Sequence, residues 1–248
     1  MPKFFVNTDQ IEGNKIKIIG EDVKHIEFVL RMKIGDEITI CDSQTTLNYF
    51  TKIKKFEKDF ILCDIIDCMK PFTESNIRIT VFQGLPKADK MEYIIQKATE
   101  LGAEEIVPVA MIRSVVKLEE NVANKKIQRW QKIAETAAKQ SGRDCIPKIE
   151  SLKKISNICE EISNYDLMLL AYENEEKTTL KEELKKLKVN SKEIKIGIII
   201  GPEGGLAGKE VEALTSAGAK PVTLGKRILR TETASITMIS NIIYEYEM

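Results

Sequence analysis

The chain has 248 residues, of which 43% are hydrophobic and 31% are charged, with a formal net charge of zero. This balance predicts a soluble globular protein with one large core or two smaller ones, and it argues against tight nonspecific binding to nucleic acid. No apolar stretch reaches the length of a membrane span and none follows Met1 as a signal peptide would, so we expect a cytoplasmic protein without a membrane anchor.

The five cysteines are an odd number and form no CxxC pair, which disfavours both a disulfide framework and a zinc site. His25 is the single histidine. A catalytic triad built on histidine and a multi-histidine metal site are therefore both disfavoured, and we expect no metal.

Positive charge is concentrated in one region of the chain. Residues 1–72 carry 11 basic and 12 acidic residues, whereas residues 111–154 carry 11 basic residues against 5 acidic ones. This local surplus is typical of a surface that binds phosphate groups, but it equally fits a solvated, lysine-rich helix face.

Residues 1–72 lack long helical periodicity and contain short runs rich in β-branched and aromatic residues, which predict strands. These runs are KIKIIG, EITICD, LNYFTKIKKF and FILCDII, and one short helix is predicted around EDVKHIEFVL. Pro71 and the polar residues after it predict a boundary. The pattern favours a small β-barrel or sandwich over residues 1–72.

From Ile77 onward, β-rich runs alternate with segments of helical period, which predicts a mostly parallel sheet with helices on both faces. The runs are IRITVFQ, EEIVPVA, YDLMLLA, IKIGIII and PVTL. Apolar stripes within 91–101, 127–138 and 152–162 predict three of the helices. The lysine-rich run KEELKKLKVNSKE predicts an exposed helix end and a loop.

The apolar strand IGIII ends in the turn GPEGG, which holds three glycines and a proline. Glycine lets another group approach the backbone closely, so the turn predicts a ligand bound by backbone at the carboxyl end of a strand. The spacing fits neither a P-loop nor a G-x-G-x-x-G fingerprint, and Glu203 would repel phosphate. A ligand that is neutral or cationic near the turn fits, as does a tight turn without a ligand.

A second loop, LGKRILRTETAS, follows the short strand PVTL and leads into a last helix with an apolar stripe. Either Thr231 or Thr233 can cap that helix through its hydroxyl. Two loops at the ends of parallel strands predict a pocket at one edge of the sheet.

The two loops, IIIGPEGGL and LGKRILRTETA, together resemble the paired signature of the SPOUT methyltransferases. The chain is similar throughout to the RsmE family, which methylates N3 of a uridine in 16S ribosomal RNA. The matching segments include HIEFVLRMKIGDEITICD, QGLPKADKMEYIIQKATELGAEEIVPVAMIRSVVK and RWQKIAETAAKQSGRDCIPKIE. The resemblance implies a PUA-like β-barrel that binds RNA over 1–72 and an α/β methyltransferase domain with a trefoil knot over 73–248.

The resemblance also implies the cofactor, S-adenosylmethionine, and the residues that hold it. These lie on three loops: Leu170 and Ala171; Ile200, Gly201, Pro202, Glu203, Gly204 and Gly205; and Leu224, Gly225, Ile228, Leu229, Arg230 and Thr231. Backbone groups and a nearby carboxylate suit a neutral adenine and a cationic sulfonium.

For the reaction, the resemblance leads us to expect Arg230 to stabilise the developing uridine anion and Glu232 to be a candidate for taking its proton. A knot-closing contact is the structural alternative for Arg230. The residues expected to contact RNA are His25, Arg31, Arg113, Lys139, Gln140, Ser141 and Arg143. For His25, packing within the fold is the favoured alternative.

The implied partners are 16S ribosomal RNA within the small subunit and a second copy of the chain in a homodimer. Two other functions stay open, namely methylation of another RNA position and a non-catalytic role in ribosome assembly. The chain also departs from the family at Ala207, where Ser or Thr usually forms a capping box with the residue at Glu210. Loss of that cap is expected to cost roughly 1 kcal/mol.

Overall fold

The computed structural model describes residues 1–187 and 193–248. The chain forms two compact units. The first comprises Met1–Glu74 and Ala138–Ile146, and the second comprises Ser75–Ala137 and Pro147–Met248.

The first unit is built on a six-stranded sheet in the order β1-β4-β5-β6-β3-β2. Its neighbouring strands are antiparallel except for β1 and β4, which are parallel. The strands are β1 (Lys3–Val6), β2 (Ile11–Glu12), β3 (Lys15–Ile19), β4 (Glu37–Asp42), β5 (Asn48–Phe56) and β6 (Phe60–Met69). The predicted strands are confirmed, while β1 and β2 were not predicted.

Alternation of apolar and polar residues places one face of this sheet in a core. In β3, Ile16 and Ile18 are fully buried while the lysines beside them are exposed. The predicted short helix is α1 (Glu21–Lys24), which continues as a π-helical turn over His25–Val29. Val23 and Ile26 anchor this segment to the same core.

The second unit contains a mostly parallel sheet, as the sequence predicted. Its order is β10-β8-β7-β12-β11-β13, with β9 beside β8, and every pair is parallel. The strands are β7 (Ile77–Gly84), β8 (Glu105–Ala110), β9 (Lys148–Ile149), β10 (Lys153–Lys154), β11 (Leu167–Ala171), β12 (Ile194–Ile200) and β13 (Lys220–Val222).

Helices cover both faces of this sheet, and β12 shows why. The helices are α2 (Lys90–Glu100), α3 (Glu120–Ser141), α4 (Ile155–Glu161), α5 (Leu180–Lys186), α6 (Gly208–Ala217) and α7 (Thr231–Glu247). Ile196, Ile198 and Ile200 point into one core, which α2, α3, α5 and α7 complete. Ile199 points into another core, which α4 and α6 complete.

The three predicted apolar stripes lie on α2, α3 and α4, and their central residues are buried. The predicted lysine-rich helix end belongs to α5, and residues 188–192 of the predicted loop lie outside the described residues. None of the helices that the structure describes combines the length and apolar character of a membrane span.

Candidate cofactor site

A cavity of about 500 Å³ lies at the carboxyl ends of β11, β12 and β13. This volume falls within the range of about 300–1,000 Å³ that is common for small-molecule sites. Of the residues predicted to bind the cofactor, all but Leu170 line it. Leu170 is instead buried in the core behind the cavity.

Several residues of the lining were not predicted, and they are Lys90, Tyr172, Glu173, Thr223, Lys226, Arg227 and Ala234. Tyr172 and Glu173 directly follow β11, so their position after a predicted strand was a usable signal. Lys90 begins α2 and comes from a distant part of the chain. Only the order of strands in the sheet brings it to this edge.

The glycines of GPEGG are required by close contacts. Gly205 has a φ of +67°, and a Cβ there would lie 2.2 Å from Glu173 Oε1. A Cβ on Gly201 would lie 3.0 Å from the backbone of Gly205. The loop is therefore folded tightly on itself, and a carboxylate occupies the space that a side chain at 205 would need.

A buried network of hydrogen bonds joins this loop to the last helix. Thr231 Oγ1 donates to the carbonyl oxygen of Gly201 at 2.6 Å and accepts from Gln83 Nε2 at 2.8 Å. Ser235 Oγ donates to Gln83 Oε1 at 2.5 Å. The side chain of Gln83 is fully buried, so these bonds satisfy polar groups that water cannot reach.

The prediction that Thr231 or Thr233 caps α7 is wrong. Arg230 occupies the N-cap position, and no side-chain cap hydrogen bond is present there. Thr231 is the first helical residue, and its hydroxyl is engaged by Gly201 and Gln83 instead. The hydroxyl contributes to the site rather than to the helix end.

Helix α6 begins at Gly208 even though Ala207 has no side-chain oxygen to cap it. The carboxylate of Glu210 accepts from the amide of Ala207 at 2.9 Å and from the amide of Ile112 at 2.8 Å. Half of a capping box is thus present, and the same side chain fixes the loop after β8 beside the cavity.

An ion-paired cluster lies at the rim of the cavity. Lys90 Nζ is 3.1 Å from Glu203 Oε1 and 3.4 Å from Glu232 Oε2. The hydrogen bond to Glu203 raises the pKa of Lys90. Burial opposes ionisation of Glu203, but hydrogen bonds from its own amide, the Lys87 amide and Lys90 outweigh it and lower the pKa of Glu203.

The residues predicted for catalysis lie close together along the chain but differ in exposure. Arg230 is exposed and lines the cavity. The side chain of Glu232 is only 16% exposed, and its Oε2 is buried without a hydrogen-bond partner. The same oxygen lies 3.4 Å from Lys90 Nζ, so an ion pair with Lys90 holds it in place.

Of the residues predicted to contact RNA, Arg113 is the one near the cavity. It is exposed, and its Nη1 donates to the carbonyl oxygen of Gly204 at 3.0 Å. The guanidinium therefore supports the glycine loop while facing solvent.

The remaining predicted RNA contacts lie in the first unit. His25, Arg31, Gln140 and Ser141 are exposed, and Arg31 has a φ of +53°. Lys139 is partly buried and its ammonium pairs with Asp22 at 2.8 Å. Arg143 differs from the others, because its side chain is 6% exposed and pairs with Glu74 at 2.6 Å. This burial makes Arg143 part of the interior of the first unit rather than a surface for RNA.

The cavity fits the cofactor that the resemblance implies. Leu224, Ile228 and Leu229 offer apolar contact to a flat ring, and Glu173 and Glu203 offer negative charge to a sulfonium. The space kept open by Gly205 places one of those carboxylates against the glycine loop. Within residues 1–187 and 193–248, no three side chains of the metal-binding types converge on one point.

Comparison with known proteins decides the family. Residues 73–243 match the model of an RNA methyltransferase domain. A protein of Bacillus subtilis named ribosomal RNA small subunit methyltransferase E is 38% identical to the chain, over 100% of the chain and 98% of its own length. The chain belongs to the RsmE family of RNA methyltransferases. The predicted family is thus confirmed.

Two solved methyltransferase structures share the fold over nearly the whole length. The ribosomal RNA small subunit methyltransferase E of Neisseria gonorrhoeae, bound to S-adenosyl methionine, has a TM-score of 0.85 and 28% identity, covering 99% of this chain and 98% of that one. A methyltransferase of Legionella pneumophila in complex with the same cofactor has the same TM-score and identity. The match covers 98% of this chain and 97% of the Legionella chain.

Proposed function

We propose that this protein transfers a methyl group from S-adenosylmethionine to N3 of a uridine in the 16S ribosomal RNA of the small subunit. The observation that carries the proposal is the cavity at the ends of β11, β12 and β13, which the predicted cofactor residues line with the exception of Leu170. The B. subtilis relative, by its name, supports methylation of small-subunit ribosomal RNA, and the two cofactor-bound neighbours support S-adenosylmethionine as the methyl donor.

The loop after β12 and the loop after β13 would hold the cofactor between them. When bound, the cofactor supplies an activated methyl group on a cationic sulfonium. The chain's own residues then have three tasks: binding it through backbone and carboxylate groups, aligning the acceptor base and excluding water. The network of Thr231, Gln83 and Ser235 would keep both loops in one arrangement.

Uridine N3 carries a proton, so methylation requires that the proton leave and that negative charge on the base be stabilised. Arg230 is exposed at the cavity and would supply positive charge to the base. Glu232 lies at the rim of the cavity, where its carboxylate pairs with Lys90 at 3.4 Å, and it would accept the proton.

The architecture that accompanies this proposal is a PUA-like barrel over 1–72 and a knotted SPOUT domain over 73–248. The path of the chain supports a knot, because the chain leaves the edge strand β13 and returns to Thr231, which contacts both Gly201 after β12 and Gln83 on β7. A barrel would require the sheet of the first unit, which ends at β1 and β2, to close.

We further propose that the protein acts as a homodimer on the assembled small subunit, which would place it in the cytoplasm. The exposed residues His25, Arg31, Arg113, Gln140 and Ser141, with Lys139, would contact RNA phosphates and hydroxyls. Arg143 would contribute by holding the first unit together. The target base must be unpaired, because pairing covers N3.

The test is mass spectrometry of nucleosides from 16S RNA of a strain that lacks the gene. Loss of 3-methyluridine, restored by the gene and by the purified protein with S-adenosylmethionine, is the expected result. Loss of a 2′-O-methylated or guanine-methylated nucleoside would reveal another target position. No loss of any modified nucleoside, with cofactor binding intact, would indicate an assembly factor.

The role of Arg230 has its own test. Arg230→Ala is expected to lower the methylation rate about 100-fold, the lower end of the loss measured for a single stabilising donor in an oxyanion hole, while calorimetry shows little change in cofactor affinity. Arg230→Lys should recover part of the rate. A full rate with Arg230→Ala would remove this residue from the reaction.

A further inference from the structure

A second cavity, of about 560 Å³, adjoins the first and has no assigned role. It is lined by Asp89, Lys90, Tyr93, Glu232, Thr233 and Ile236. Lys90 lines both cavities and bridges Glu203, on the cofactor loop, to Glu232. The two cavities therefore share the side chain of Lys90.

We propose that this second cavity takes the target uracil and that Lys90 and Glu232 read its Watson–Crick edge. The inference rests on the proposed function and deepens it by assigning the acceptor site and the residues that select the base.

The charges of the cavity exclude phosphate as its ligand. Asp89, Glu203 and Glu232 are acidic and Lys90 is the basic residue among them, so the surroundings carry net negative charge. An anion would be repelled there. A neutral ring with both donors and acceptors fits, and Tyr93 and Ile236 offer it a partly exposed aromatic face and an apolar contact.

The hydrogen-bonding groups match uracil in particular. Along its pairing edge uracil presents an acceptor, the N3–H donor and a second acceptor. The cavity presents the ammonium of Lys90 as a donor, the carboxylate of Glu232, which lies 3.4 Å from that ammonium, as an acceptor and the hydroxyl of Thr233 as a donor. Cytosine would place a lone pair at N3 against the carboxylate, so the same groups disfavour it.

With S-adenosylmethionine bound as the methyl donor, the step would balance. The N3–H proton would pass to Glu232, N3 would bond to the methyl carbon, and the electron pair of the broken sulfur–carbon bond would stay on sulfur. Lys90 donates to a carbonyl oxygen of the ring and stabilises the charge that develops there. The other titratable groups facing Glu232 are Asp89 and Tyr93 at the start of α2 and, through Lys90, Glu203.

The experiment uses full-length protein, small subunits that lack 3-methyluridine, and calorimetry with S-adenosylmethionine. At neutral pH, Glu232→Gln is expected to lower the methylation rate about 100-fold or more, as for loss of a general base. Lys90→Met should lower it about 10-fold or more, since a hydrogen bond to a charged group is lost, and Lys90→Arg should recover part of the rate.

Two readouts separate this role from a structural one. Lys90→Met should bind S-adenosylmethionine as tightly as wild type or more tightly, because it leaves Glu203 unpaired beside a cationic ligand. The rate of Glu232→Gln should rise with pH relative to wild type, because solvent can take the proton in place of the carboxylate. The matched controls Lys97→Met on α2 and Glu245→Gln on α7 should retain the wild-type rate.

Full rates with Lys90→Met and Glu232→Gln would overturn the inference. The inference would also be overturned if Glu232→Gln lost the same fraction of the methylation rate at every pH. It would be overturned too if Lys90→Met lost affinity for S-adenosylmethionine along with its methylation rate. Failure of the wild-type protein to form 3-methyluridine at all would instead overturn the proposed function, so the two failures are distinguishable.

Discussion

Thr231 and Gly201 are 30 residues apart, yet the hydroxyl of Thr231 donates to the carbonyl oxygen of Gly201 at 2.6 Å. Both groups are buried. This bond fixes the first turn of α7 against the end of β12, and Gln83 on β7 adds a second bond to the same hydroxyl. The two cofactor loops are thereby held to the sheet as one unit.

Thr231→Val is expected to destabilise the protein by about 1–3 kcal/mol, because it leaves the buried carbonyl of Gly201 and one donor of Gln83 without a partner. Cofactor affinity should fall with it, since the loops lose their common anchor. Urea unfolding and calorimetry with S-adenosylmethionine measure the two effects. Thr231→Ser, which keeps the hydroxyl, should stay close to wild type, and equal losses for both variants would contradict the argument.

Gly205→Ala is expected to weaken cofactor binding about 10-fold or more. The residue has a φ of +67°, which costs an L side chain about 1–2 kcal/mol, and its Cβ would displace the carboxylate of Glu173. Gly208→Ala is the matched control, because a Cβ at 208 would meet no atom within 4 Å and would favour the helix. Calorimetry that shows the same affinity for Gly205→Ala and wild type would show that Glu173 does not matter for binding.

Local patterns were sufficient to predict the sheet and the glycine loop, because apolar runs, helical stripes and glycine turns act within one segment. Lys90 was missed because its role depends on which strands lie side by side, whereas Glu173 was missed although it follows a predicted strand closely. The hydroxyl of Thr231 was misassigned for a related reason: a buried carbonyl 30 residues away competes with the helix end for it. Arg143 belongs to a basic run, but Glu74 draws it into the interior.

Ala207→Ser is expected to stabilise the protein by about 1 kcal/mol. Ala207 already has the extended backbone of an N-cap residue, and Glu210 already supplies the reciprocal half of the capping box. The serine hydroxyl would add the missing acceptor for an amide of the first turn. The same substitution at Ala213, in the middle of α6, should instead cost about 0.5 kcal/mol through lower helix propensity. Thermal unfolding measures the melting temperature of each variant relative to wild type. Equal changes in melting temperature for the two variants would exclude capping as the cause.

Asp144 is a buried anion of the first unit, and its carboxylate has four donors around it. It accepts from the amides of Phe72 and Thr73 at 2.7 Å each, from Asn48 Nδ2 at 2.6 Å and from the ammonium of Lys3. Burial alone would raise the pKa of Asp144, but hydrogen bonds from Lys3, Thr73 and Asn48 outweigh it and lower the pKa to about 2.

Asp144→Asn is therefore expected to cost about 3–5 kcal/mol at neutral pH, because it leaves the ammonium of Lys3 buried without its anionic partner. The folded pKa lies below the usual value of 3.8, so the ionised carboxylate contributes its full stabilisation above about pH 4 and loses it as the pH falls toward about 2. The difference in the free energy of unfolding between wild type and Asp144→Asn, referred to below as the gap, should consequently become smaller as the pH falls. Urea unfolding followed by circular dichroism at pH 7 and pH 3 measures that gap, with Asp59→Asn at an exposed position as control. A gap of the same size at both pH values would show that the charge on Asp144 does not stabilise the first unit.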